Sequence, residues 1–205
     1  MRIVTAITPQ VKNAKRCNIF LDGEFFCGLS LETVMKNRLK VGAAVDERTL
    51  EKIQLDSERN AAMDKAMTYL SGAVKSEKQT RDYLKEKGYV PLVINYVLEK
   101  LKEYGFVDDG DFARRYAETY AEKKGAFLIK KELKTKGIAD EISEEALSAL
   151  GSQSEAAARI AEKYMRGKEA DLKTVQKLYR HLLSKGFSYD DAKAAVEAIR
   201  SSIED

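Results

Sequence analysis

The sequence predicts a mainly α-helical protein. Tandem three-helix repeats form an elongated array, preceded by a small N-terminal module of three strands, two of them a β-hairpin. Three observations carry this. A five-residue helix ending occurs three times, as Leu84-Lys85-Glu86-Lys87-Gly88, Leu133-Lys134-Thr135-Lys136-Gly137 and Leu182-Leu183-Ser184-Lys185-Gly186, with its glycines 49 residues apart. Around each copy, apolar residues recur at the i, i+3, i+4, i+7 spacing of a buried helix face. Residues 2–29 instead read as strands folded about the turn dipeptide Asp22-Gly23.

In chain order, residues 2–8 form a strand ended by Pro9, and residues 17–29 form the hairpin. A two-residue turn pairs Leu21 with Glu24, Ile19 with Phe26, Asn18 with Cys27 and Cys17 with Gly28. Phe20 and Phe25 then share one face, Ile19 and Phe26 the other. This register points Cys17 and Cys27 to opposite sides and argues against a disulfide within the chain, leaving both as small buried hydrophobes. Ser30 opens a short helix carrying Val34, Met35 and Leu39, and Asp46 caps a long helical stretch from Glu47 to Leu70. The polar run Asp56 to Asn60 reads as a break in that stretch. The boundary between an α+β module (1–58) and the repeats (61–105, 108–151 and 154–201) is placed there.

Each repeat carries three helices. In the first, Ser76 and Gln79 have capping-box spacing for the second helix, and Pro91 suits the first turn of the third, with its stripe Ile94, Val97, Leu98 and Leu101. The second repeat places Phe112, Tyr116 and Tyr120 on one face, then Ala126, Ile129 and Leu133, then Ile142, Ala146, Leu147 and Leu150. The third opens near Ser154, continues after Asp171 through Val175, Leu178 and Leu182, and closes with a helix capped by Ser188. After each repeat glycine comes an apolar residue, Tyr89, Ile138 or Phe187, placed to pack back on Leu84, Leu133 or Leu182 in a Schellman ending. One such unit is too small to fold alone, so neighbours bury one another's faces.

Composition narrows function. With 36 basic and 33 acidic residues the net charge is +3, short of the footprint of a dedicated nucleic-acid binder. That favours a protein partner, or a mixed protein and nucleic-acid partner. Arg2, Pro9, Lys12, Lys15 and Arg16 interrupt any apolar run of signal or membrane-span length, so a cytoplasmic protein without membrane contact is expected. The single histidine, His181, reads as an ordinary helix-surface residue rather than a general base, and no Cys or His cluster has metal-ligand spacing. No catalytic residue, metal or cofactor is therefore expected, and the chain reads as a non-enzyme. Asp108, Asp109 and Asp111 read as a helix N-terminus rather than a metal site. Gly23 to Gly28 has phosphate-loop glycine spacing, but Leu29 stands where the lysine belongs. The Phe112/Tyr116/Tyr120 stripe reads as core before it reads as a base-stacking platform.

The basic clusters carry the one functional surface. Arg114 and Arg115, then Lys123, Lys124, Lys130, Lys131, Lys134 and Lys136, run through the second repeat, with Glu122 just ahead of the lysines and Glu132 among them. Lys163, Arg166, Lys168, Lys173, Lys177, Arg180 and Lys185 continue in the third. These are either solvated helix faces or a stripe that meets phosphates or an acidic protein surface. Lys130 and Lys134 fall one turn apart on a single face, as a stripe requires. Arg114, Arg115, Lys123, Lys124, Lys130, Lys131 and Lys134 form the candidate contact set.

Gly105-Phe106-Val107-Asp108-Asp109, followed by Phe112 and Tyr116, and the pattern Gly125-x3-Ile129-x3-Leu133-x2-Lys136-Gly137-Ile138 lie within tandem three-helix units. Together they resemble the RecX family of recombination regulators over about residues 61–200. The N-terminal strands fit its longer members, and Leu128 stands where a basic residue is expected. The resemblance implies a non-enzymatic protein that binds the RecA recombinase filament on single-stranded DNA, along its helical groove; a monomer with weak direct affinity for single-stranded DNA is expected. It would restrain strand exchange, ATP hydrolysis and the co-protease activity that triggers the SOS response. Two rival readings of the residues stay open: direct DNA binding by helix-turn-helix-like units, with a steep salt dependence, and a helical scaffold for another protein.

Overall fold

The computed structural model describes residues 1–11, 13–169 and 171–204. The chain divides into two compact units, one of Met1–Ala73 with Arg81–Tyr104 and one of Val74–Thr80 with Gly105–Asp205.

The first unit begins with an antiparallel sheet of β1 (Arg2–Gln10), β2 (Asn13–Leu21), β3 (Glu24–Ser30) and β4 (Ala44–Val45), in the order β3-β2-β1-β4. β4 is a two-residue strand beyond the three expected, and β1 continues through Pro9 instead of stopping there. Pro9 stands beside a register irregularity, where proline's missing donor is tolerated. The hairpin turn forms as expected: Asp22 and Gly23 both have positive φ, 49° and 90°. Arg2 Nε and Ile3 N donate to the two Asp22 carboxylate oxygens at 2.8 and 2.9 Å and tie the turn to β1.

The expected hairpin register holds for only two pairs, Leu21 with Glu24 and Phe20 with Phe25. A bulge then inserts Phe26, so Ile19 faces Cys27, Asn18 faces Gly28 and Cys17 faces Leu29. The slip turns Cys27 onto the face of Cys17, Ile19, Leu21 and Leu29, all buried. The two cysteines therefore lie on one face and not on opposite sides, which corrects the geometric argument. Their reading as small buried hydrophobes stands: both are free, and burial raises both thiols, Cys27 to about 11.

This face packs with Val4 on Val34 of α1 (Leu31–Lys36) and Leu50 of α2 (Glu47–Leu70). Ser30 and Asp46 cap the two helices through Thr33 N and Thr49 N. The expected break at Asp56–Asn60 is absent, because its polar side chains have partners. Ser57 is 7 % exposed and accepts from Thr33 Oγ1 at 3.1 Å, and the Arg59 guanidinium lies 4.1 Å from the Tyr96 ring centroid. Beyond them, Ala62 and Ala66 of α2, Leu84 of α3 (Glu77–Glu86) and Val93, Ile94, Val97, Leu98 and Leu101 of α4 (Pro91–Glu103) are buried.

The second unit holds α5 (Asp109–Tyr120), α6 (Ala126–Thr135) and α7 (Asp140–Ser148) around Phe112, Ala113, Ala117, Ile129, Leu133, Ile138 and Ala146. It continues with α8 (Ser154–Met165), α9 (Leu172–Ser184) and α10 (Tyr189–Glu204) around Ala157, Ala161, Leu178, Leu182, Phe187 and Ala192. The protein is thus mainly helical, with tandem three-helix domains after a small antiparallel sheet.

All three repeated caps form. Gly88, Gly137 and Gly186 have φ of 86°, 85° and 86°, and the N–H of Tyr89, Ile138 and Phe187 donates to the carbonyl of Leu84, Leu133 and Leu182 at 3.2, 3.1 and 3.3 Å. Within the second unit, two caps also serve as seats for helix N-termini. Ser76 Oγ donates to Lys136 O at 2.6 Å while Ser76 and Gln79 exchange capping-box bonds. Gly125 N and Phe127 N donate to Lys185 O and Gly186 O at 2.9 and 3.1 Å. Positive helix ends meet negative ones at both joints, and each satisfies carbonyls that a helix end leaves orphaned. α9 departs from this pattern. Its cap is Asp171, and the position that matches Ser76 and Gly125 is Thr174, already inside the helix.

Candidate functional site

α5 starts where Asp108 accepts from Gly110 N and Asp111 N at 2.8 and 3.0 Å, and Asp109 accepts from Glu77 N at 2.8 Å. Asp111 holds Arg115 at 2.8 Å and Arg114 at 3.7 Å. The acidic run is therefore engaged in capping and ion pairing, as the helix N-terminus reading expects.

One turn further along, Phe112 is buried, whereas Tyr116 and Tyr120 are half-buried and form a polar edge to the core. Tyr116 donates to Glu132 Oε2 at 2.8 Å, and Lys124 Nζ reaches both Glu132 oxygens at 2.7 Å. Lys124 and Lys136 lie over the Tyr120 and Tyr116 rings, at 4.2 and 5.1 Å from the centroids. Burial alone would raise Glu132, but the bonds from Lys124 and Tyr116 outweigh it and hold the carboxyl below its ordinary range. Burial, then the bond to Glu132, pushes the Tyr116 phenol well above its ordinary value.

On α6, Lys130 and Lys134 share a face as the spacing predicts. That face runs along the acidic start of α7: Lys130 pairs with Glu144 at 2.6 Å and Lys134 with Asp140 at 3.5 Å. Five of the seven candidate cations, Arg114, Arg115, Lys124, Lys130 and Lys134, thus carry a carboxylate partner. Lys123 and Lys131 have none among the described residues. The exposed pairs are weak and screened by salt, so their effect is to neutralise local field rather than to lock the fold.

Charge without such neutralisation gathers in the third repeat. α9 contains Lys173, Lys177, Arg180 and His181 and no Asp or Glu. A groove of about 560 Å³ is lined by Lys123, Arg159, Lys163, Tyr164, His181 and Lys185, with Glu122 bonded to Arg159 at its edge. Lys168 Nζ sits 3.4 Å from the Tyr164 ring centroid, and the same ring lies 4.9 Å from that of His181. Burial first, then Lys185 and Lys168, lowers the His181 pKa, so the imidazole stays neutral in a positive neighbourhood. Lys123, Lys163, Lys168 and Lys185 have no carboxylate partner among the described residues. The arrangement can attract phosphates or an acidic surface, while the Tyr164 ring is already engaged by Lys168 and His181.

The candidate set, drawn from the second repeat, omitted this concentration. Its signal was the absence of acidic residues over 172–184. Leu128, the departure from the expected basic residue, covers Gly186 with its backbone and Cβ, where a β-carbon on Gly186 would lie 2.3 Å from Leu128 N; these atoms are common to every side chain, and the choice of leucine has no structural explanation.

Among the described residues, no helix is long and apolar enough to cross a membrane. Four domain models match in order: the regulatory protein RecX N-terminal domain over residues 2–46, then the first, second and third RecX three-helix domains over 62–101, 108–147 and 152–196. The regulatory protein RecX of Bacillus licheniformis is 38% identical over 204 residues, spanning 96% of this chain and 77% of that one. The same-named protein of Clostridium botulinum strain Alaska E43 is 34% identical over 206 residues, spanning 96% of each. A crystal structure of regulatory protein RecX superposes with a TM-score of 0.69 at 27% identity, covering 94% of this chain and 98% of the other. That of RecX from Lactobacillus salivarius gives 0.64 at 28% identity, covering 70% and 97%. Matched from its first strand to its last repeat, the chain belongs to the RecX family of regulatory proteins.

Proposed function

We propose that this chain is a non-enzymatic regulator that acts in the cytoplasm as a monomer. It binds the RecA recombinase filament on single-stranded DNA and restrains its ATPase, strand-exchange and co-protease activities. Family membership supports the partner, and one observation carries the mode of contact: cations without a carboxylate partner gather on α8, α9 and the α5–α6 turn, as at Lys123, Lys163 and Lys185. A positive surface of this kind meets filament phosphates or acidic protein. The proposed contact set is Arg114, Arg115, Lys123, Lys124, Lys130, Lys131 and Lys134, extended by this third-repeat surface. Lys123 and Lys131 are ready to meet a partner; the other five exchange an internal carboxylate for an external one. The proposed working parts are the 1–58 module and the repeats 61–105, 108–151 and 154–201.

The test is ATP hydrolysis by the cognate RecA on single-stranded DNA, with this protein titrated from sub-stoichiometric to excess and bare-DNA binding followed in the same buffer. Inhibition where bare DNA is barely bound supports the proposal, and unchanged hydrolysis in excess overturns it. The acid-free α9 favours one second reading, direct DNA binding, which predicts tight and steeply salt-dependent binding to bare DNA with no effect on the recombinase.

A further inference from the structure

Phe127 is 68 % exposed on the first turn of α6. The repeat does not require an aromatic there, since the matching positions, ten residues before each repeat glycine, are Lys78 and Gln176. Nor is the turn loose. Gly125 N and Phe127 N are bonded to Lys185 O and Gly186 O, and Ala126 N donates to Gln153 Oε1 at 2.7 Å. A rigid backbone thus presents a bare ring to solvent, the pre-organised form that loses least order on binding.

Its neighbours choose the partner. Lys130 and Lys131 lie three and four residues along the same helix face, and Lys185 adjoins the first turn through the backbone joint. Lys131 and Lys185 have no carboxylate partner among the described residues. A polyanion with flat apolar faces uses both features at once, the ring by stacking and the cations by meeting phosphate. In duplex DNA the base faces are already stacked on one another; in a single strand they are available.

We propose that Phe127 is a stacking platform for a base of single-stranded nucleic acid, with Lys131 and Lys185 meeting the flanking phosphates. The inference rests on the partner reading above in placing nucleic acid at this surface, but it stands or falls separately. The chain contains no tryptophan, so Phe127→Trp introduces a single indole reporter. Oligothymidylate titrated at low salt is expected to quench its emission, and a duplex of equal length is expected to leave it largely unquenched. Phe127→Ala should bind labelled oligothymidylate roughly tenfold more weakly, with unchanged far-ultraviolet circular dichroism and an unchanged salt slope, while Phe127→Tyr keeps its affinity.

An indole left unquenched at saturation overturns the proposal, as does undiminished affinity in Phe127→Ala. So does an emission change that appears only with recombinase in the absence of DNA, which assigns the ring to a protein socket. Quenching by oligothymidylate, with wild-type protein inert on recombinase ATPase, removes the regulator reading and keeps this one. Inhibition of the ATPase without quenching does the reverse.

Discussion

Gly125 and Gly186 meet backbone to backbone. A β-carbon on Gly125 would lie 2.2 Å from the Gly186 carbonyl carbon and oxygen, although Gly125 has an ordinary φ of −77°. Space alone demands glycine at 125; space and a left-handed backbone together demand it at 186. Gly125→Ala is therefore expected to cost about 1–3 kcal/mol through overpacking, and Gly186→Ala about 1 kcal/mol more. Gly88→Ala, with open space around it, should show only the backbone part. Urea midpoints check this, and a Gly125→Ala variant as stable as Gly72→Ala, where a β-carbon meets nothing, would refute it.

Ser76 serves two elements at once. Its hydroxyl accepts from Gln79 N at 3.2 Å and donates to Lys136 O at 2.6 Å, fully buried. Ser76→Ala loses a cap and takes its hydroxyl donor from the part-buried Lys136 carbonyl, so about 1–3 kcal/mol of stability should be lost. Ser76→Thr keeps the hydroxyl and should recover part of it. A Ser76→Ala loss within 0.5 kcal/mol, roughly the range of neutral surface changes, would contradict the joint.

Two groups give opposite charge states but the same sign of pH dependence. Glu132 is held below its ordinary value of 4.5, so its contribution is present above that value and disappears as pH falls through the lowered one. His181 is held below 6.5, so the unfolded chain takes up its proton first and stability declines as pH drops from 6.5. Glu132→Gln should remove the acid-side part of the slope, and His181→Gln the part just below 6.5. Thermal unfolding across pH measures both, and an unchanged profile in both variants would discard the assignment.

Cations with and without internal partners should respond differently to substitution. Replacing Lys173, Lys177 and Arg180 with glutamine breaks no carboxylate pair among the described residues, so helicity should be kept. The slope of log affinity for single strands against log salt should fall by about 2. Lys130→Glu with Lys134→Glu instead sets like charges beside Glu144 and Asp140, and should lower stability as well as binding. Comparing urea midpoints with DNA or filament affinity separates the two patterns. Equal slopes for wild type and the α9 variant would exclude α9 from contact.

What the sequence disclosed is what depends on near neighbours. The Ser76–Gln79 box, the Asp108 cap and the three glycine endings each rest on residues a few positions apart, and each forms as read. The Phe26 bulge was hidden because a one-residue slip is chosen by which side chains the sheet core accepts. The continuity of α2 was hidden because the partner of Ser57, Thr33, comes 24 residues earlier. The pairing of Lys130 with Glu144 is likewise tertiary, across two helices. The acid-free stretch of α9, by contrast, was open to view and needed only to be weighed against the mixed charge of α6. Gly125 read as a spacer between helices; its role as a contact surface follows from Gly186, which no local pattern connects to it.

The two joints are chemically distinct, a serine hydroxyl on Lys136 in one and bare glycine backbone on Lys185 in the other. Exchanging the first and second repeats would bring a serine to the place of Gly125, where a β-carbon would lie 2.2 Å from the Gly186 backbone. Copies that share one helix-ending pattern are thus not interchangeable, because each junction accepts only the residue type that its own neighbour leaves room for.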